Sequence, residues 1–216
     1  MAQPRSCGRT TCFSYRASPL LLGLLLVILA CVTPLSAQTR LRFNTVVVDA
    51  GHGGHDRGGI PGQRVPEKVV ALDTAVRLAA LLRQKGLKVV MTRTSDVFVP
   101  LSTRTAIANR QRSAILVSVH YNSARRVGAM GLETFYYKNH SRALAMNIQR
   151  QMMRRFRTEN RGVKQRGFYI LRNTRIPAVL VECGFLTNPT EGKRAMSPQY
   201  RQIMAEAIAA GILATR

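Results

Sequence analysis

The alternation of apolar and polar positions changes period several times along the 216 residues, and each change marks an element. Asn44–Asp49, Ile115–His120 and Ala178–Cys183 are short, nearly unbroken runs of valine, leucine, isoleucine and alanine. Runs of that kind predict strands buried on both faces. Leu87–Met91 and the alternating Gly131–Tyr137 predict two more strands, and Val163–Leu171 predicts a further extended segment. Between them the spacing becomes helical. Glu67–Lys85 carries Val70, Leu72, Ala75, Val76, Ala79 and Leu82 at helical intervals, with Pro66 before it and Gly86 after it. Leu101–Arg112, the basic Ser141–Arg157 and Gln199–Leu213 predict three more helices. In the second of these, Leu144, Ile148, Met152 and Phe156 fall on one face. Strands alternating with helices predict an α/β fold. The expectation is a single domain with a central, mostly parallel or mixed sheet of about six strands flanked by helices, phosphorylase/hydrolase-like.

Composition adds a compartment. Residues 1–18 hold Arg5, Arg9 and Arg16 and no acid, and Leu20–Val32 is apolar throughout, with Gly23 and Cys31 its weaker members. A charged start followed by an apolar stretch too short to span a bilayer comfortably predicts an export leader. Leu35-Ser36-Ala37 suits ordinary cleavage, giving a signal peptide over 1–37. Ile28-Leu29-Ala30-Cys31 resembles a lipobox, giving a leader over 1–30 with Cys31 acylated, and an uncleaved anchor helix is the third reading. All three deliver residues 44–216 to the periplasm or cell envelope, with 38–43 as a spacer. Of the four cysteines only Cys183 lies in the folded region, so no disulfide forms within it. Cys183 follows Glu182 on its strand and is expected to point to the opposite, packed face.

Charge narrows the partners. Lysine and arginine number 33 against 10 acids, a net +23; removing the leader's three arginines leaves +20. Such a field favours an anionic partner. No nucleic-acid motif and no basic run with interleaved stacking residues accompanies it, so nucleic acid is excluded. Association with an anionic wall or membrane surface remains.

The candidate chemistry sits where the apolar runs end. His52, His120 and Glu182 follow or close three of the predicted strands, and ligands in open α/β sheets bind beyond the carboxyl ends of strands. Glu67 opens the long helix and can fold back from the glycine-rich loop Ala50–Pro66 to join them. Two imidazoles and one carboxylate leave one tetrahedral position on zinc for water, as in a hydrolytic site. The two histidines are not the helical pair of an HExxH protease, and the loop lacks the Lys-Ser/Thr ending of a P-loop. Glu182 and Glu133 both lie in strands and compete for the catalytic carboxylate. Burial at the end of an apolar strand favours Glu182 as general base, and Glu133 reads as solvent-facing or supporting. Asp49 either fixes a histidine tautomer or bonds within the glycine loop. His55 reads as a solvated loop residue and His140 as surface.

Four spaced motifs carry a resemblance. Val47-Val48-Asp49-Ala50-Gly51-His52-Gly53-Gly54, Glu67-Lys68, Ser118-Val119-His120-Tyr121-Asn122-Ser123 and Val181-Glu182-Cys183-Gly184-Phe185-Leu186-Thr187-Asn188 resemble the zinc-dependent N-acetylmuramoyl-L-alanine amidases of the Amidase_3 type. Met91–Asp96, Leu101–Arg104, Ala108–Arg110 and Phe168–Arg172 are similar too, so the likeness runs from Thr45 to Ile212. It implies that His52, Glu67 and His120 bind zinc, that Glu182 is the catalytic glutamate, and that peptidoglycan is the substrate; a monomer is expected. Members often have proline where Ala50 stands and lysine where His55 stands; neither position is a ligand. Division-linked members carry a long insertion between the positions of His120 and Gly131, with a helix that blocks the zinc. The ten residues between these positions here cannot hold it. Two other readings stay open: a zinc peptidase cutting within the stem peptide, and a noncatalytic wall-binding or regulatory protein on the same fold.

Overall fold

A computed structural model describes residues 40–59, 62–126 and 128–216. The expected leader over 1–37, with Cys31, lies outside them. Among the described residues no helix is long and apolar enough to cross a membrane.

The valine-rich runs form the middle of one sheet, since β-branched side chains pack well on a pleat buried on both sides. Its strands are β1 (Thr45–Ala50), β2 (Lys88–Met91), β3 (Ala114–Asn122), β4 (Leu132–Tyr136), β5 (Asn160–Gln165) and β6 (Ala178–Phe185), in the order β2-β1-β3-β6-β4-β5. β2, β1, β3 and β6 run parallel, β4 is antiparallel to β6, and β5 is parallel to β4. The helices are α1 (Glu67–Gln84), α2 (Leu101–Asn109), α3 (Arg142–Arg155), α4 (Tyr169–Arg172), α5 (Pro189–Ala195) and α6 (Pro198–Leu213).

Strand alternation divides the core in two. Val46, Val48, Val117, Val119 and Val181 pack with Leu78 of α1, Ile148 of α3 and Ile208 of α6. Val47, Leu116 and Leu180 face the other way, toward Ala108 of α2 and Ile170 and Leu171 of α4. Cys183 is fully buried on the thicker side, as its position after Glu182 requires. The thin side leaves the sheet partly open. Nine residues of α2 reach about 14 Å, whereas nine residues of β3 extend about 30 Å. Beyond α2 and α4, the carboxyl ends of β3 and β6 are therefore free to line a pocket.

Three expectations change. The buried face of α1 takes in Ala71, Thr74 and Leu78 and leaves Val76 exposed. Thr74 can be buried there because its hydroxyl donates to Val70 O at 2.8 Å and meets the Tyr121 hydroxyl at 2.9 Å. The segment Val163–Leu171 is extended only to Gln165; Tyr169–Arg172 coils into α4, which seats Ile170 and Leu171 in the second cluster. Finally, α5 precedes the closing helix. Asn188 caps it by accepting from Thr190 N and Glu191 N, with Pro189 in its first turn. Among the described residues from 123 to 131 there is no helix.

Candidate active site

The first strand ends by turning sharply. His52 has φ +59°, outside the comfortable range for a side-chain-bearing residue, so the surroundings must hold it there. They do so through two buried arginines. Arg104 donates to Ala50 O at 2.5 Å and His52 O at 2.6 Å, and pairs with Asp49 at 2.9 Å. Arg93 donates to Ala50 O at 3.0 Å and Gly51 O at 2.6 Å, and reaches Lys68 O at 2.9 Å, tying the loop to the start of α1. Gly51 admits no side chain: a Cβ there would stand 2.4 Å from the His120 ring. Gly58, at φ +68°, is likewise confined, since a Cβ would meet His52 at 2.6 Å and Glu67 at 2.7 Å.

These constraints bring three donors together. Glu67, in the first turn of α1, is buried and accepts Tyr121 N at 3.0 Å. One carboxylate oxygen lies 2.9 Å from His120 Nδ1 and the other 3.1 Å from His52 Nε2. The ligand atoms of His52, Glu67 and His120 all lie within 4.8 Å of one another. Burial raises the Glu67 pKa, but hydrogen bonds from both histidines overcome this and hold it at about 2. Burial pulls His52 down, and the hydrogen bonds and charges of Glu67 and Asp56 outweigh it, leaving His52 above its ordinary value. The donor set is one that suits a divalent metal of borderline softness.

Glu182 lines the same pocket, a cavity of about 400 Å³. In the sheet it stands between His120 of β3 and Glu133 of β4. Its Oε2 is sequestered and has no hydrogen-bond partner. Burial, and then the charges of Glu67 and Glu133, push its carboxyl well above the usual range. The two competing glutamates thus differ in their partners. Glu133 is buried rather than solvent-facing, accepts from Asn122 at 2.6 Å and is paired with Lys164.

Asp49 departs from both of its expected roles, since its partners lie neither on a histidine nor within the glycine loop. It touches no histidine; it accepts from Thr92 and Ser118, both at 2.6 Å, and pairs with Arg104. Burial opposes its charge, yet Arg104 and the two hydroxyls keep its pKa low. The residue at His52 Nδ1 is Asp56, at 2.8 Å, which the sequence reading missed. Its signal was local: it is the one acid in the glycine-rich loop. Arg93 and Arg104 were quoted there only as parts of motifs, without a role. His55 is exposed and stacks beside Phe98, with ring centroids 4.2 Å apart, and His140 is exposed at the turn before α3.

A largely parallel sheet with two imidazoles and a carboxylate at its strand ends, and a partnerless carboxylate beside them, has the make-up of a metal-dependent hydrolase. The model of one family, N-acetylmuramoyl-L-alanine amidase (Amidase_3), matches residues 46–214, and the chain belongs to that family. Among solved structures it is similar to the N-acetylmuramoyl-L-alanine amidase AmiC2 of Nostoc punctiforme. That match has 41% identity and a TM-score of 0.75, covering 79% of this chain and 95% of that one. The uncharacterized protein YqiI of Bacillus subtilis is 35% identical, over 89% of this chain and 93% of that one. An uncharacterized cell wall amidase of Bacillus anthracis is 39% identical over 83% of this chain, which spans 37% of that relative's length.

Proposed function

We propose that this chain hydrolyses the amide between N-acetylmuramic acid and the L-alanine of peptidoglycan stem peptides, in the cell envelope, with zinc held by His52, Glu67 and His120. The observation that carries the assignment of roles is Glu182: a carboxylate with a raised pKa and no partner, in the same pocket as the donor cluster. The chemistry that a bound zinc supplies in such a site is Lewis-acid activation of water and polarisation of a carbonyl. The rest falls to side chains of this chain. Asp56 at Nδ1 of His52 keeps the proton on that nitrogen and leaves the Nε2 lone pair facing the cluster. Glu182 takes a proton from the water whose oxygen attacks the lactyl carbonyl carbon. It returns that proton to the alanine nitrogen as the C–N bond breaks, giving a lactyl carboxylic acid and a free amine. Leu101, Phe168 and Tyr169 line the pocket and offer apolar surface to a substrate.

The surplus of cations supports salt-sensitive attraction to wall or membrane polyanions. A noncatalytic wall-binding reading expects a missing donor, and all four positions are filled. The test is incubation of purified protein and Glu182→Ala with peptidoglycan and zinc, followed by mass spectrometry of the soluble fragments. Stem peptides with a free L-alanine amine are expected, slowed about 10²- to 10⁴-fold in the variant and lost on chelation. Fragments cut within the stem would make the chain a peptidase, and no fragments at all would return it to the binding reading.

A further inference from the structure

A second and larger cleft, of about 540 Å³, lies between α3 and β5. Arg142, Met146, Arg150, Met153 and Arg154 recur at helical spacing along its helical wall, and Val163 of β5 lines the opposite side. Met146 is 43% exposed, an unusual place for a long apolar side chain with nothing over it. None of the three arginines meets a carboxylate among the described residues, where ion pairs form instead at Arg77, Arg104, Arg161 and Arg201. β5 is the last strand of the sheet, so its outer edge pairs with no other strand among the described residues. The cleft therefore combines unpaired positive charge, an adaptable apolar floor and a free main-chain edge.

We propose that this cleft docks an acidic, amphipathic polypeptide segment of another protein. Charge decides the sign of the partner: three cations held on one wall repel each other until an anion sits between them. It also excludes a second copy. The ten acidic side chains of this chain, apart from Glu206, are engaged by cations, backbone amides or the active-site pocket, leaving no acidic face to offer. The floor decides the class. A phosphate polymer brings charge but no apolar surface for Met146, Met153 and Val163, whereas a polypeptide brings both, together with main-chain groups for the β5 edge. The inference is independent of the amidase assignment, since none of these residues lines the active-site pocket.

The test is fluorescence anisotropy of purified protein with a labelled peptide alternating glutamate and leucine. An all-glutamate peptide of equal length and lipid-free inorganic polyphosphate serve as competing probes. The alternating peptide should bind saturably and about tenfold more tightly than the all-glutamate one. Arg150→Glu should weaken both peptides, while Met146→Gln should weaken only the alternating one, each variant keeping the wild-type circular dichroism spectrum. No saturable binding of the alternating peptide overturns the proposal. So does equal binding of both peptides with Met146→Gln silent, which leaves only a cationic face. Preferential binding of polyphosphate overturns it in favour of an anionic polymer. Wall hydrolysis by wild type and Glu182→Ala is read separately and is unaffected by any of these outcomes.

Discussion

Two clefts of this molecule treat charge in opposite ways. The active-site pocket is lined by histidines, glutamates, small polar groups and apolar side chains, with no lysine or arginine among the described residues. The α3–β5 cleft has three arginines and no acid. In a chain with a net charge of +23, an arginine-free pocket is the informative one. A guanidinium beside the donor cluster would repel a divalent cation and stabilise Glu182 as an anion, lowering its value as a proton carrier. The cations nearest the chemistry, Arg93 and Arg104, are instead turned onto backbone carbonyls and Asp49, where they hold shape. The frame of the pocket is tied by buried hydrogen bonds and an ion pair, whereas the arginines of the cleft meet no carboxylate among the described residues. Substitutions in the frame should therefore be far more destabilising than those in the cleft.

The largest effect is expected at the frame. Arg104→Met leaves the Asp49 carboxylate buried beside Thr92 and Ser118 without its cation, takes the side-chain donor from His52 O and leaves Ala50 O with Arg93 alone. Removing one partner of a buried pair costs about 3–5 kcal/mol. Urea unfolding would measure it, and a loss under 1 kcal/mol would show that Arg104 is not the clamp described. Next comes the donor cluster. At free zinc a hundredfold above the dissociation constant, wild type should gain about 2.7 kcal/mol over its metal-free form. Glu67→Ala, compared with its own metal-free form, should gain almost nothing. Asp56→Asn should reach the same gain only at about 10- to 100-fold more zinc. A full zinc shift in Glu67→Ala would place the metal elsewhere.

Much of this pocket was legible because it lies at the ends of elements with strong periods. Apolar runs that end at or just before His52, His120 and Glu182, and a helix that starts on Glu67, mark four positions as candidates, and the family resemblance singles out the same four. The frame was not legible in the same way. Arg104 and Arg93 act on carbonyls more than 40 residues earlier, and only the completed sheet brings them there. Asp49 misled because it is close to His52 in sequence, while strand alternation turns it onto the sheet face of Ser118 and Arg104. The reversal of β4 was equally hidden, since an apolar strand reads the same in either direction. The α3–β5 cleft was visible only as a basic helix, because β5 carries little apolar pattern of its own.

A pH experiment sharpens the contrast from the side of the pocket. Glu182 binds its proton more tightly folded than unfolded, owing first to burial and then to Glu67 and Glu133. For an acid with a raised folded pKa, the contribution is fully present below the ordinary carboxylate value and is lost as pH rises toward the folded value. Metal-free wild type should therefore lose stability relative to Glu182→Gln as pH rises from the ordinary carboxylate range. Melting temperatures of the two proteins across that range give the answer. Parallel curves would mean that Glu182 is solvated after all and stores no penalty.

The smallest expected effect is in the cleft, and it bears most directly on the comparison. Arg150→Glu gives up a 2.6 Å hydrogen bond to Asn147 Oδ1. In return it places a glutamate one turn before Arg154, the favourable order for a helical pair, which contributes about 0.2–0.5 kcal/mol. It also relieves repulsion along the arginine wall. The balance should fall within about 0.5 kcal/mol of wild type, as for surface positions outside any buried network. Urea midpoints at low and high salt separate the parts, since the pair and the relieved repulsion fade with screening while the lost hydrogen bond does not. A loss above 1 kcal/mol at both salts would mean that the arginines of α3 help hold the fold. The two clefts would then differ in ligand but not in kind, and the unpaired charge on α3 would no longer mark a surface kept for a partner.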